Sequence, residues 1–305
     1  MKASLIITCK NEVENIEGFL ESVIAQTKRP DDFVMRDAGS NDGTIDIIKR
    51  YTKKYKWMSL IIAPNTNIAQ GRNLAIKAAK NDVIAVTDAG CRLDKNWFEN
   101  ITKPFKDKNV DLVAGVYKPL WKNKFEYYQG LVVCPEPKDI VGVSNISSRS
   151  IAFRKKCWKA VDGYPEKYDI GEDTLFNTKL VEKGYKFAYA KDAVVNWEMR
   201  KSWRALFKQF YRYGTWDRVT GNIFKLKINL MMVISFWGLI TLSVLVHPIF
   251  IPALALSFLA DFAVVTNRVR KKMWDAESVT YRFLVLFVKR IAYIVGVTFG
   301  IPRRY

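Results

Sequence analysis

The chain is poor in histidine, cysteine and acid. Its single histidine, His247, stands beside Pro248 in an apolar stretch far from any acidic motif, where a turn role is expected. The four cysteines, Cys9, Cys91, Cys134 and Cys157, contain no C-x₂₋₄-C half-site for a metal. With 305 residues the chain far exceeds a disulfide mini-domain, so free thiols in a reducing compartment are expected. Neither G-x-G-x-x-G nor G-x-x-x-x-G-K-[ST] is present, which argues against dinucleotide and P-loop sites. The opening Met1-Lys2-Ala3-Ser4-Leu5-Ile6-Ile7-Thr8 has an apolar run too short for a signal-peptide core. Acids are outnumbered: 30 Asp plus Glu against 49 Lys plus Arg leave a net charge of +19. Such an excess calls for an anionic partner: nucleic acid, an anionic membrane surface or a phosphorylated substrate. Hydrophobic residues at 49% and aromatics at 13% exclude a largely disordered chain.

The length allows about two domains. From Ile228 to Ala260 no residue carries a formal charge. As one helix this stretch would exceed the roughly 30 Å hydrocarbon core, and His247-Pro248 breaks it. The pattern predicts a transmembrane hairpin over 228–267, with spans near 228–246 and 249–266. Lys225 and Lys227 before it, and Arg268, Arg270, Lys271 and Lys272 after it, put both ends in the cytoplasm. Asp261 in the second span either lies near that interface or has a function. Residues 281–301 are apolar but interrupted by Lys289 and Arg290, which predicts an interfacial or re-entrant helix in 268–305. Before the hairpin, 200–227 mixes eight basic residues with Trp203, Phe207, Phe210, Tyr211 and Trp216, as an interfacial helix would. The expected location is therefore a multi-pass membrane protein with residues 1–199 as a cytoplasmic catalytic domain.

Within that domain strand and helix patterns alternate. Ser4–Thr8, Asp32–Asp37, Leu60–Ala63 and Val83–Thr87 read as strands. Glu14–Ala25, Thr44–Lys54 and Ala69–Ala79 read as helices. This order predicts an α/β domain with a doubly wound, mainly parallel sheet and its ligand at the carboxyl ends of the strands. Polar residues cluster at those ends: Thr8-Cys9-Lys10-Asn11-Glu12, Arg36-Asp37-Ala38-Gly39-Ser40-Asn41-Asp42-Gly43-Thr44 and Thr87-Asp88-Ala89-Gly90. Asp42 or Thr44 suits a helix cap. Asp37, directly after an apolar strand, can accept hydrogen bonds from a base or ribose.

Those three clusters, together with Gly71-Arg72-Asn73 and Gly171-Glu172-Asp173, resemble family 2 glycosyltransferases in order and spacing over residues 1–215. The resemblance implies a Rossmann-like glycosyltransferase A-type fold that binds a UDP- or GDP-linked sugar. It implies that Thr8, Glu12 and Asp37 contact the nucleoside. Arg72 would approach the pyrophosphate, where a guanidinium fork matches phosphate oxygens. Asp88 takes the first position of the family's Asp-x-Asp motif, which holds Mg²⁺ or Mn²⁺ on the diphosphate. Gly90 takes the third, so one carboxylate is missing and Asp88 is the expected main metal ligand, with Asp94 as a fallback. Asp173 is implied as the general base of an inverting single displacement, with Glu172 supporting binding or orientation. Gln209-Phe210-Tyr211-Arg212-Tyr213 resembles the family's Q-x-x-R-W element with Tyr213 for Trp, which implies Gln209 and Arg212 on the acceptor or diphosphate side. Ser147-Ser148-Arg149 is a candidate phosphate contact, and Arg149 is placed on the acceptor side.

The reading that results is a membrane-anchored hexosyltransferase acting on a lipid or lipid-linked acceptor in glycolipid or polysaccharide biosynthesis. The first alternative is a polysaccharide synthase that extrudes its product. The second is a basic nucleic-acid binder without enzymatic activity. No nucleic-acid module is visible, so nucleic acid is not an expected partner.

Overall fold

A computed structural model describes residues 1–134, 146–168, 170–220, 227–256, 259 and 276–302. The described chain forms two compact units, residues 1–120 with 134–198, and residues 121–133 with 199–302.

The first unit is built on one eight-stranded sheet. Its strands are β1 (Ala3–Cys9), β2 (Asp32–Asp37), β3 (Met58–Ile62), β4 (Val83–Val86), β5 (Cys91–Leu93), β6 (Leu112–Leu120), β7 (Ile151–Arg154) and β8 (Phe187–Glu198). The spatial order is β3-β2-β1-β4-β7-β6-β8-β5. The β3-β2-β1-β4 half is parallel, and the expected helices α1 (Ile16–Ile24), α2 (Thr44–Lys54) and α3 (Ile68–Ala78) supply its crossovers. Both β1 and β2 are buried along their whole length, with the apolar runs Leu5–Ile7 and Phe33–Met35 in their middles, as strands covered on both faces require. Beyond β4 the sheet becomes mixed. β7 runs antiparallel to β4 and β6, β6 is parallel to β8, and β5 is antiparallel to β8. Two short helices, α4 (Trp97–Thr102) and α6 (Lys155–Ala160), complete this unit with α7 (Glu172–Glu182), whereas α5 (Lys124–Val133) belongs to the second unit.

Gly71 lets α3 lie close on the sheet. A Cβ there would stand 2.9 Å from both Arg36 and Thr8 side-chain atoms. The core joins Ile6, Val34, Ile76, Ile84 and Val86 to Phe153, Tyr164 and Phe176.

The second unit contains α5, α8 (Trp203–Val219), α9 (Lys227–Leu245) and α10 (Ala276–Phe299). Val132, Leu206 and Phe210 pack with Val285, Leu286 and Ala292. Val233 packs with Tyr293, Ile294 and Val297. Helices α8 and α10 touch backbone to backbone at glycines. A Cβ on Gly214 would overlap the Tyr293 carbonyl, and one on Gly296 the Tyr211 carbonyl. Gly296→Ala is therefore expected to destabilise this unit by about 3 kcal/mol, at the upper end of overpacking costs. A lowered urea midpoint at unchanged slope would register it; an unchanged midpoint would mean the crossing yields freely.

These contacts revise the membrane reading. Among the described residues no helix is long and apolar enough to cross a membrane, so the transmembrane hairpin and the multi-pass membrane location expected above do not stand. The uncharged run is divided: α9 stops at Leu245 and a 3₁₀ turn follows at Pro248–Phe250. One face of α9 is covered by protein, with Trp237 Nε1 donating to Thr298 Oγ1 at 2.9 Å. The apolar stretch at 281–301 is α10, one face of which packs on α8. Its charges are accommodated within the unit. Arg282 is buried, with Nε on the Ser278 carbonyl at 3.1 Å, and Lys289 lies 5.2 Å from the Phe210 ring centroid. The rest of the expected second span, Asp261 and the basic loop 268–272 fall outside the described residues. His247 lies in the turn, as expected, its N–H donating to the Leu242 carbonyl at 3.0 Å.

Candidate active site

The parallel strand register puts Thr8 level with Arg36, and Cys9 level with Asp37. Thr87, one residue beyond β4, donates its N–H to the Ile6 carbonyl, so the polar ends of β1, β2 and β4 share one edge. At the β2 end Asp37 is fully buried. Its Oδ1 accepts from Gly39 N at 2.8 Å and Ser40 N at 2.7 Å, and its Oδ2 from Ser40 Oγ at 2.7 Å and Cys9 Sγ at 3.3 Å. The carboxylate thereby ties up its own loop. Burial, then the Asp37 charge, pushes the Cys9 thiol far up, so it stays protonated. Glu12 is held nearby: its N–H donates to Thr44 Oγ1 at 2.8 Å and its carboxylate accepts from Asn15. Asp42 accepts from Thr44 N at 3.0 Å in the turn before α2, whose N-cap is Gly43 without a side-chain cap bond, so the expected cap by Asp42 or Thr44 does not form.

The second cluster joins α3, the end of β4, the 146–150 loop and the start of α7. A reciprocal capping box between Asn67 and Gln70 starts α3. One turn later Arg72 is 2% exposed. Its Nη2 donates to Asp88 Oδ1 at 2.8 Å, and its Nη1 to Glu172. Its guanidinium also stands 5.3 Å from the Tyr164 ring centroid. Burial pulls the Arg72 pKa down, and the charges of Glu172 and Asp88 more than reverse it, so Arg72 stays charged. Both arms of the Arg72 guanidinium are thus engaged by carboxylates.

Glu172 is buried, which pushes its pKa up to about 7 against the pull of Arg72. The unfolded chain holds that proton only to about 4.5. A raised folded-state value stabilises the fold most below about 4.5, and that contribution disappears as pH climbs to about 7. Glu172→Gln is expected to flatten the decline in stability over that window, and denaturant midpoints from pH 4.5 to pH 8 would show it. A decline as steep as the parent's would assign it to other groups.

Asp173, next on α7, is half-buried and points elsewhere. Its Oδ1 accepts from Thr174 N at 2.8 Å, and its Oδ2 faces Ser148 N and Ser147 Oγ, each at 3.3 Å. Ser148 Oγ lies 2.9 Å from the Tyr164 hydroxyl, whose ring stacks on Phe176. Arg149 completes the group. Its Nε is 3.9 Å from Asp88 Oδ2 and its Nη1 donates to Ser147 Oγ at 2.9 Å.

Of the residues marked in the sequence, the structure therefore unites Arg72, Asp88, Arg149, Glu172 and Asp173. Thr8, Glu12 and Asp37 line the neighbouring strand ends. Gln209 and Arg212 lie on α8 in the second unit. Gln209 is buried, with Oε1 accepting from Arg200 Nε at 2.8 Å and Nε2 donating to the Tyr213 hydroxyl at 3.1 Å. Asp94 accepts from Asn196 at 2.6 Å.

Sequence inspection missed Asn73. Its Nδ2 donates to the Tyr164 carbonyl and Glu166 Oε1, and its Oδ1 accepts from Tyr164 N and Trp158 Nε1. It thereby fastens α3 to the segment that leads into α7. Its place directly after Arg72 in Gly71-Arg72-Asn73 was the available signal.

A divalent metal implied by the resemblance was tested against these donors. Among the described residues no group of three or more His, Cys, Asp or Glu could hold an ion by itself. Asp88 offers one carboxylate, and beside it Gly90 has nothing within 4 Å of where a Cβ would stand. One carboxylate with open room fits Mg²⁺ or Mn²⁺ brought in with a diphosphate, since these ions take most of their oxygens from phosphate and water.

The sequence pattern of glycosyl transferase family 2 matches residues 4–166. The O-antigen chain rhamnosyltransferase WbaN of Salmonella anatum is 27% identical over 203 residues, 62% of this chain and 63% of that protein. Glycosyltransferase AglE of Haloferax volcanii is 23% identical over 244 residues, 78% of this chain and 80% of that protein. Among solved structures, the mannosyltransferase PcManGT of Pyrobaculum calidifontis with GDP-Man and Mn²⁺ has a TM-score of 0.58 at 18% identity, over 96% of this chain and 86% of that one. Staphylococcus aureus TarS 1–349 with UDP-GlcNAc has a TM-score of 0.55 at 18% identity, over 70% and 66%. These structural likenesses concern the glycosyltransferase A-type fold.

Proposed function

Because the chain belongs to glycosyl transferase family 2, we propose that it is a glycosyltransferase that moves a sugar from a nucleotide sugar with inversion, using Asp173 as general base. The observation that carries this reading is the bridge Asp88–Arg72–Glu172, with Asp173 adjacent and turned toward Ser147 and Ser148. It puts two differently employed carboxylates at neighbouring positions, one fixed to an arginine and one available to an acceptor.

The donor's nucleoside lies against the strand ends bearing Thr8, Glu12 and Asp37, with Asp37 acting through the loop it ties up. Its diphosphate lies at Asp88. Asp88 would hold Mg²⁺ or Mn²⁺ there, which would supply charge stabilisation for the leaving nucleoside diphosphate. Asp173 takes the proton from the acceptor hydroxyl as that oxygen bonds to the anomeric carbon. The bond from the anomeric carbon to the diphosphate oxygen breaks, and its electron pair leaves with the nucleoside diphosphate. Glu172 fixes Arg72, and Arg72 in turn fixes Asp88.

The acceptor we propose is lipid-linked. Two features of the second unit support that choice. An open cleft of about 490 Å³ is lined by Lys124, Lys201, Phe125, Trp203 and Tyr281. Helix α9 exposes Met231, Ile234, Val244 and Leu245. Gln209 and Arg212 serve that side. A panel of UDP- and GDP-sugars, incubated with lipid extract and Mn²⁺ and assayed for nucleoside diphosphate release, tests the reading. Release from one donor that depends on lipid is expected. Donor turnover onto a water-soluble sugar alone would overturn the lipid-linked acceptor, and no turnover or binding of any donor would overturn the whole.

A further inference from the structure

We infer that Arg36 is an electrostatic element of the donor site, a buried cation under the strand ends that attracts the donor's diphosphate through space without touching it. The inference rests on the nucleotide-sugar reading and adds a residue to which that reading gives no part.

Arg36 is 1% exposed near the end of β2. Side chains alternate across a strand. Arg36 therefore faces α3, while Asp37 faces the other side with its carboxylate bonded to its own loop. Among the described residues Arg36 forms no ion pair, whereas Arg72 has two. Its Nη2 donates to the Ala63 carbonyl at 2.5 Å, and its Nε is buried without a partner. Burial pulls its pKa down against the Asp37 charge, yet a guanidinium stays charged in a protein.

The fold itself has no use for that charge. The Ala63 carbonyl also accepts from Thr66 Oγ at 2.6 Å, so it would stay satisfied without Arg36. A buried charge lacking a contacting counter-charge destabilises a protein. The start of α3 makes matters worse. A Cβ on Gly71, in its first turn, would stand 2.9 Å from Arg36 Nη1, where the helix dipole is positive.

Its location accounts for the charge. Arg36 is level with Thr8 in the parallel register, and the same point on Gly71 lies 2.9 Å from Thr8 Cγ2. Arg72, the next residue, reaches Asp88, where the diphosphate is proposed to lie. The Arg36 guanidinium thus sits behind the stretch that joins the nucleoside position to the diphosphate position. Contacting carboxylates offset Arg72 but not Arg36. At an effective dielectric of about 20, unit charges about 10 Å apart alter an affinity by roughly tenfold.

Stability and donor affinity should therefore respond to Arg36 in opposite directions. The test combines urea unfolding with titration calorimetry of UDP and GDP in Mn²⁺, on the full chain as parent, Arg36→Met and Arg36→Lys. Arg36→Met fills most of the arginine's stem and removes both the charge and the unpartnered Nε, so its urea midpoint should equal or exceed the parent's. Its affinity for the nucleoside diphosphate that the parent binds should fall about three- to thirtyfold. Arg36→Lys matches the methionine in length and keeps the charge, so it should retain most of the parent's affinity. A methionine variant that binds as tightly as the parent would overturn the inference. So would one that is less stable or fails to fold, because the cation would then serve the fold. A lysine variant as weak as the methionine variant would also overturn it, by tying the loss to the shape of the side chain instead of its charge. Each of these results leaves the nucleotide-sugar reading intact. A parent that binds neither UDP nor GDP would overturn that reading and this inference with it.

Discussion

Asp173→Asn is expected to lower kcat for sugar transfer by about 10²–10⁴-fold, the usual contribution of a positioned general base, while nucleotide affinity stays near the parent's. The substitution keeps size and the acceptor oxygen toward Thr174 N, now 2.8 Å from Asp173 Oδ1. What it removes is the negative charge favoured at the start of α7 and the capacity to take a proton. It also sets an amide N–H₂ against Ser148 N–H and Ser147 Oγ, which now face Asp173 Oδ2 at 3.3 Å. Steady-state kinetics with the donor found in the panel would separate the terms. A collapse in kcat with donor KM within a few fold is expected. A variant that retains a third or more of kcat would remove Asp173 from the proton transfer.

Arg72→Met should cost about 3–5 kcal/mol of stability, because it leaves a buried carboxylate without its counter-charge. The methionine can fill much of the arginine's stem, so the loss reads mainly on electrostatics. Glu172 would lose the partner that opposes its desolvation, and its pKa would rise further above 7. Asp88 would lose the Nη2 donor at 2.8 Å, so nucleotide affinity should fall as well. The double variant Arg72→Met/Glu172→Met should recover much of the stability and none of the affinity, since a buried ion pair replaced whole by apolar groups is often neutral. Urea unfolding with nucleotide titration reads both quantities. A single variant as stable as the parent would show that water reaches the pair.

The parallel half of the sheet was legible because its signals are local. β1, β2 and β4 are apolar runs that end in turn residues, and α1 to α3 carry helical spacing between them. The clustering of Thr8, Asp37 and Asp88 followed from the parallel order alone, since parallel strands present their carboxyl ends to one edge. The mixed half was not legible. β5 and β7 are three and four residues long, and pairings such as β5 with β8 join segments about a hundred positions apart.

The site divides the same way. Residue types and motif order marked Asp88, Arg72, Glu172 and Asp173, but not which of them face a ligand. Arg72 became a buried strut because Glu172, one hundred residues later, folds against it. Arg149 lies against the rings of Tyr117 and Trp197, which no spacing rule associates with it.

The apolar C-terminal run marks the same boundary most clearly. An uncharged stretch states that its side chains avoid water. It does not state what covers them, because hydrocarbon tails and a neighbouring helix satisfy the same apolar surface. Here α8 and α10 supply part of the cover, with glycines at 214 and 296 admitting the close approach. Composition, strand order and motif chemistry were written along the chain. The partners of buried charges and the cover of apolar faces were chosen by contacts between distant segments, whose energies depend on geometry that no local pattern encodes.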